Sequence, residues 1–419
     1  MAILDGWIWR PARIEELDGL AGECLASMCD LLEDQVVDEP PELKGRVAWG
    51  QFLDRRHHSD QQWGRFGTSA AVQVFAMAHR WDEPERSVYE TAPLNVLAAV
   101  LPEQAPAEND EAMKTEDFDD PVKLAFIVDA LRLDVVDAKI QGPHPAIVDH
   151  LLSLTLDTNE GWSTRGTDGR HRQDRLLVTA YALRALRRFP LAQSSEHIVN
   201  AWEWLALQLQ RRVHLLGEDL LALGCLALSA CPESRHSRTV TDALAQCRGE
   251  LVNRVATTQH PAIDRPYFNP YSRGKVNDYL FLSPELLTTL LFLEDEARPL
   301  ETRAFLLAVV DRIVKQIESS NLASSDPQGF RVQRGMLGTV DQMWAARVLY
   351  AFHRAFRRNP AALRPPGSLA VKTGTALIPI TIAAIVLSVV LLGKFGAALA
   401  TVLGAGLGAV LTLFLRRRD

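Results

Sequence analysis

The chain has little cysteine. Five occur in 419 residues, at Cys24, Cys29, Cys225, Cys231 and Cys247, and no CxxC is present. An odd number without paired spacing excludes a disulfide framework and points to a reducing compartment. No Cys/His spacing of the zinc-ligand kind occurs, so neither a metal nor a cofactor is expected. His57-His58 follows Arg55-Arg56 and reads as a solvated surface. Runs of alternating apolar and polar residues are missing too, which argues against a sheet. The opening "MAILDGWIWRPARIEELDG" has no basic start before an apolar run, so no secretory leader is expected. Net charge is −7. From Lys372 onward five basic residues face one acid, leaving +4 there and −11 over residues 1–371. So acidic a body argues against bulk nucleic-acid binding.

What is present is helix. Hydrophobic residues make up 47% of the chain, ample for a large core. Three stretches share an order of parts: "QWGRFGTSAAVQVFAM" (62–77), "GWSTRGTDGRHRQDRLLVTAYALRAL" (161–186) and "GFRVQRGMLGTVDQMWAARVLYAF" (329–352). Each joins glycine and an aromatic to a short arginine-bearing loop and then an alanine-rich helix. In the third, Thr339 with Gln342 has capping-box spacing. Each helix has an alanine, another five residues on, and then a large apolar residue. The pairs are Ala71/Ala76, Ala180/Ala185 and Ala346/Ala351. Ala125/Ala130 and Ala222/Ala227 fit as well, and Pro284/Thr289 is a degenerate sixth. A recurrence every 42–62 residues marks a repeated supersecondary unit. Amphipathic helices lie between, at 13–36, 146–156, 196–212, 240–255 and 301–318. The expected fold class is all-α. An inner ring of six low-charge helices within an outer amphipathic ring closes as an (α/α)6 toroid over residues 1–358, with its repeat core at about 45–358.

The last fifty residues change character. Thr375–Leu392 and Ala397–Leu415 carry no charge, and Gly393-Lys394-Phe395-Gly396 separates them. Each run is about long enough to span a bilayer. Arg357, Arg358, Arg364 and Lys372 flank the first, and Arg416–Arg418 follow the second. By the positive-inside tendency both flanks are cytoplasmic. The expectation is a linker at 359–374 and a transmembrane helical hairpin at 375–419, placing the protein in the inner (plasma) membrane with its ring in the cytoplasm. The alternative is a buried helix pair in a soluble protein. Gly404 and Gly408 form a GxxxG on a small-residue face. It serves either packing within the hairpin or homo-oligomerisation, including a pore.

The glycine-aromatic, loop and "TAYALRAL" pattern resembles the terpenoid-cyclase and protein-prenyltransferase toroid superfamily, over roughly residues 45–358. The resemblance implies an inner barrel whose mouth is lined by the loops that enter the inner helices. Class II terpene cyclases protonate an alkene with a DxDD carboxyl, and Asp117-Phe118-Asp119-Asp120 matches that pattern. It would make Asp117, Asp119 and Asp120 catalytic. The Pro121-Val122-Lys123 that follows departs from the family's Thr-Ala helix start, and Asp120-Pro121 reads equally as an N-cap before proline. Aromatic residues are only 7%, few for a cation-stabilising cavity. The zinc ligands of prenyltransferase and lanthionine-cyclase toroids have no counterpart, nor has the complement-type thioester.

The entry loops carry Arg65; Arg165, Arg170, Arg172 and Arg175; Arg273 and Lys275; and Arg331 and Arg334. Gathered at one face they would make a basic mouth, since arginine forks match phosphate and carboxylate. Trp63 and Trp162 stand beside them for stacking. The alternative is pairing with acids such as Asp168 and Asp174. The expected function is a membrane-anchored module that binds an anionic ligand, a nucleotide or a lipid pyrophosphate, and acts at the membrane, as a bacterial defence effector would. The rivals are a membrane-bound isoprenoid enzyme and a passive scaffold.

Overall fold

The computed structural model describes residues 11–36, 48–51, 53, 64–83, 120–131, 144–155, 161–163, 175–187, 189, 195–232, 237–257, 283–295, 298–321, 329–330 and 338–364. The chain divides into two units, Arg10–Arg364 and a second made of Met1–Trp9 with Pro365–Asp419. Every residue of the second unit lies outside the described residues, including the expected hairpin, Gly404 and Gly408. Among the described residues no helix is long and apolar enough to cross a membrane.

The described residues are all-helical. In chain order the helices are α1 (Pro11–Asp34), α2 (Arg65–His79), α3 (Pro121–Leu131), α4 (His144–Ser153), α5 (Arg175–Leu186), α6 (Glu196–Arg212), α7 (Glu218–Ser229), α8 (Arg238–Thr257), α9 (Pro284–Glu294), α10 (Arg303–Asn321) and α11 (Thr339–Arg358). No strand occurs among the described residues, only isolated bridge residues such as the pair Thr155 and Trp162.

Six of the helices form a closed cycle of neighbours. α2 packs on α3, α3 on α5, α5 on α7, α7 on α9, α9 on α11, and α11 returns to α2. These are the six that carry the alanine spacing. Their alanines at 71, 76, 125, 130, 180, 185, 222, 227, 346 and 351 are all buried. A one-carbon side chain lets helix axes approach closely, and helices packed on every side need that. In α5 every side chain from Leu176 to Leu186 is buried.

The other five lie outside the cycle, each against ring helices. α1 packs on α2 and α11, α4 on α3, α6 on α5 and α7, α8 on α7, and α10 on α9 and α11. They bury a single stripe. In α6 it runs Ile198, Ala201, Trp202, Leu205, Ala206, Leu209, the i, i+3, i+4 spacing of a one-sided helix. Gly224 of α7 lies under Leu209, and a Cβ there would come within 2.6 Å of its Cδ1.

The unit continues past α11. Asn359 caps a short turn at Pro360–Leu363 by accepting from the Ala362 N–H at 3.2 Å, and Leu363 is fully buried. Arg303 of α10 donates to the Arg364 carbonyl at 3.2 Å. The first six residues of the expected linker, 359–364, therefore belong to the folded unit, and the remainder lies outside the described residues.

Candidate functional site

The glycine-aromatic signal has a structural cause. The Trp162 backbone N–H donates to Thr179 Oγ1 at 3.0 Å, and the Thr179 hydroxyl donates to the Trp162 carbonyl at 3.2 Å. The Trp162 indole N–H donates to the Leu151 carbonyl at 2.7 Å. Leu151 lies in the last turn of α4, where carbonyls lack helical donors. One residue thus closes an outer helix and anchors the next inner one. Gly161 makes this possible with φ +92, and a Cβ there would lie 2.2 Å from Thr179 Oγ1. Trp49 repeats the arrangement: its N–H donates to Thr68 Oγ1 at 3.1 Å and its indole N–H to the Leu32 carbonyl at 2.7 Å. Phe330 does so through an amide, donating from its N–H to Gln342 Oε1 at 2.9 Å while Gln342 Nε2 donates back to its carbonyl.

Two expectations are corrected here. Trp162 is fully buried, so its ring offers no face to a ligand. Gln342 does not close a capping box with Thr339. The N-cap is Gly338, and Asp341 at the third helical position accepts the Gly338 N–H.

Asp120 caps α3, accepting from the Val122 N–H at 2.8 Å and the Lys123 N–H at 3.4 Å. Its Oδ1 thus serves the helix start, the N-cap arrangement that Asp120-Pro121 suggested. Asp117 and Asp119 lie outside the described residues. Arg65 opens α2 and is half-buried. Arg175 opens α5 with its guanidinium 4.6 Å over the Trp204 ring of the outer helix α6. Trp63, Arg165, Arg170, Arg172, Arg273, Lys275, Arg331 and Arg334 lie outside the described residues.

The arginines the structure does bring together stand on the ring helices, not in their entry loops. Arg184 of α5 and Arg347 of α11 are buried, as is Asp129 of α3. Arg187, just past α5, lies 3.5 Å from Asp129, and Arg347 donates to Asp129 Oδ2 and Gln73 Oε1. Arg184 approaches only Glu294, at 4.0 Å, and half of that carboxylate is in solvent. Trp344 of α11 receives both cations, Arg347 at 4.9 Å and Arg184 at 5.2 Å from its centroid. α5 and α11 are not neighbours in the cycle, so these contacts cross the ring. Arg184 sits nine residues beyond Arg175, about 13 Å farther along the axis. Asp129, Arg184 and Glu294 all lie in final turns, where helix dipoles favour cations.

The electrostatics follow. Burial and then Arg347 push the Arg184 guanidinium down to about 10. Burial alone would raise the Asp129 carboxyl, but Arg187, Arg347 and Arg184 outweigh it and hold it below its ordinary value. Four donors of the cluster have no hydrogen-bond partner among the described residues. They are Arg184 Nη1, Gln73 Nε2, Trp344 Nε1 and the Tyr181 hydroxyl. Nearer the start of α11, burial raises Asp341 to about 7, opposed by the Gly338 N–H.

A band of rings crosses the same space. Phe66 meets Phe126 at 4.8 Å, Phe126 meets Tyr181 at 5.4 Å, and Tyr181 meets Trp344 at 6.5 Å between centroids. Among the described residues no group of His, Cys, Asp and Glu is placed to hold a metal ion. No known family, curated protein or solved structure matches the chain.

Proposed function

We propose that the protein is a membrane-anchored helical ring that binds an anionic ligand and passes its occupancy to the membrane. The observation that carries this is Arg184. It is a buried cation whose nearest carboxylate is 4.0 Å away and half exposed, and its Nη1 has no partner among the described residues. A buried guanidinium without a full complement of acceptors is costly, and an anion would complete it. In this reading the anion sits among the ring helices, nine residues beyond the Arg175 that opens α5.

The closed cycle of six helices supports the (α/α)6 toroid and its likeness to the terpenoid-cyclase and prenyltransferase fold. Five outer helices accompany it among the described residues. The membrane role rests on the charge-free runs at 375–392 and 397–415. The full chain in detergent should melt at a higher temperature with at least one anion of a series running from chloride through phosphate and pyrophosphate to a nucleotide, at constant ionic strength. Arg184→Gln should abolish that response and any accompanying change in oligomeric state. A response identical in the variant would end the proposal, and indifference to every arginine substitution would favour a passive scaffold.

The aromatic band and the buried Asp341 carboxyl favour a second reading, an isoprenoid enzyme with a protonated acid at the ring. Asp341 joins Asp117, Asp119 and Asp120 as a candidate acid. Asp341→Asn would then abolish turnover of a polyprenyl substrate while leaving the fold intact.

A further inference from the structure

We propose that the ring centre binds one small inorganic monoanion of the halide class, held by Arg184, Tyr181 and Trp344. This rests on the anion-binding reading of the same site and names the ligand class. Tyr181 and Arg184 are three residues apart on one face of α5. Trp344 faces both across the ring, 6.5 Å from the tyrosine ring and 5.2 Å from the guanidinium. Each contributes a donor without a partner among the described residues: a phenol O–H, an indole N–H and a guanidinium N–H. Gln73 Nε2, on the side chain that holds Arg347, is a fourth. All are donors, and all are sealed from solvent. Burying so many unpartnered donors is unfavourable unless an acceptor serves them. A spherical anion accepts from several directions at once.

Charge sets the valence. The ionised groups that act on Arg184 are Arg347, Glu294, Arg187 and Asp129. Arg184, Arg347 and Arg187 face buried Asp129 and the half-exposed Glu294, so the cation excess at Arg184 is small. A monoanion suits so small an excess, whereas a pyrophosphate or a nucleotide would bring several negative charges beside buried Asp129. Asp219 acts on Tyr181, and its negative charge favours an anion seated on the arginine side of the phenol. Burial sets the size. Arg184, Tyr181 and Trp344 are each at most 5% exposed, which favours a small ion over a bulky headgroup.

The test uses the full chain in detergent, purified in sodium gluconate. Chloride or bromide should raise Tm saturably by about 3–5 °C at constant ionic strength. The chlorine-35 resonance should broaden with wild-type protein and narrow again on addition of bromide. Arg184→Gln should abolish both effects and Tyr181→Phe should weaken them several-fold, with cooperative melting in gluconate as the control for folding. If a variant does not fold, competition on the wild type decides. Bromide must displace chloride while millimolar pyrophosphate does not. Stabilisation by pyrophosphate or a nucleotide through Arg184, with halides inert, would overturn the halide proposal and leave the anion-binding reading standing. Indifference to every anion would overturn both.

Discussion

Thr179 holds Trp162 by both of its main-chain polar groups, at 3.0 Å and 3.2 Å, while the indole of that tryptophan closes the preceding helix. Thr68 and Trp49 share the design, so two sites test one idea. Thr179→Val keeps shape and removes the hydroxyl, leaving the Trp162 N–H and carbonyl buried without their partner. We expect a loss of about 1–3 kcal/mol, read from urea midpoints. Trp49→Phe keeps most of the ring and loses the bond to Leu32, for a loss of about 1–2 kcal/mol. If both substitutions are neutral, these contacts are incidental to the repeat.

Glycine substitutions should separate two backbones. Gly161 has φ +92 and no room for a Cβ against Thr179. Gly161→Ala should cost about 2–4 kcal/mol by strain and displacement of the clasp. Gly249 lies inside α8, and a Cβ added there would meet nothing within 4 Å. Gly249→Ala should stabilise by about 0.5–1 kcal/mol. Thermal melts of the two variants should move in opposite directions.

Stability should fall as pH rises through the titration of Asp341. Its folded carboxyl is raised to about 7 from an ordinary 3.8. Between those values the folded state keeps a proton that the unfolded state has released. The contribution is therefore complete below about pH 4 and is lost by pH 7, amounting to roughly 2–4 kcal/mol. Asp341→Asn keeps an acceptor for the Gly338 N–H and has no proton to lose. Urea midpoints at pH 5, 6 and 8 should decline for the wild type on this account and stay flatter for the variant. Parallel profiles would show that the carboxyl is ionised throughout.

The Arg347–Asp129 pair joins α11 to α3, helices that are not neighbours in the cycle. Arg347→Met should cost about 3–5 kcal/mol by taking one cation from Asp129 and a donor from Gln73. Adding Asp129→Asn should recover part of the loss, since the stranded charge is then gone. A double-mutant cycle measures the recovery, and strictly additive losses would contradict direct pairing.

The alanine spacing made the ring legible because packed helices tolerate little else along their shared faces. Trp49 was not legible as an anchor. Trp63-Gly64 heads its stretch with the same two residue types in inverted order, and the distance from anchor to clasping residue differs each time, 19 residues to Thr68, 17 to Thr179 and 12 to Gln342. The central cluster left a fainter trace. Asp129, Arg184 and Arg347 each stand inside an apolar helix, in "FIVDAL", "AYALRAL" and "WAARVL". A charge that cannot turn toward water must find its counterpart across the fold, and one-dimensional spacing does not say which. Arginine-rich loops are the louder signal in a sequence, and they mask such isolated charges.

The α2–α11 seam has a consequence for how the molecule is made. Thr339 donates to the Gly50 carbonyl at 2.6 Å across 289 positions of sequence. Synthesis therefore delivers one edge of the seam long before the other. Until the final inner segment emerges from the ribosome, the nascent circle is an arc with two sticky flanks, vulnerable to pairing with a neighbouring copy. Truncation before α11 should strand the protein in that arc-like, aggregation-prone condition.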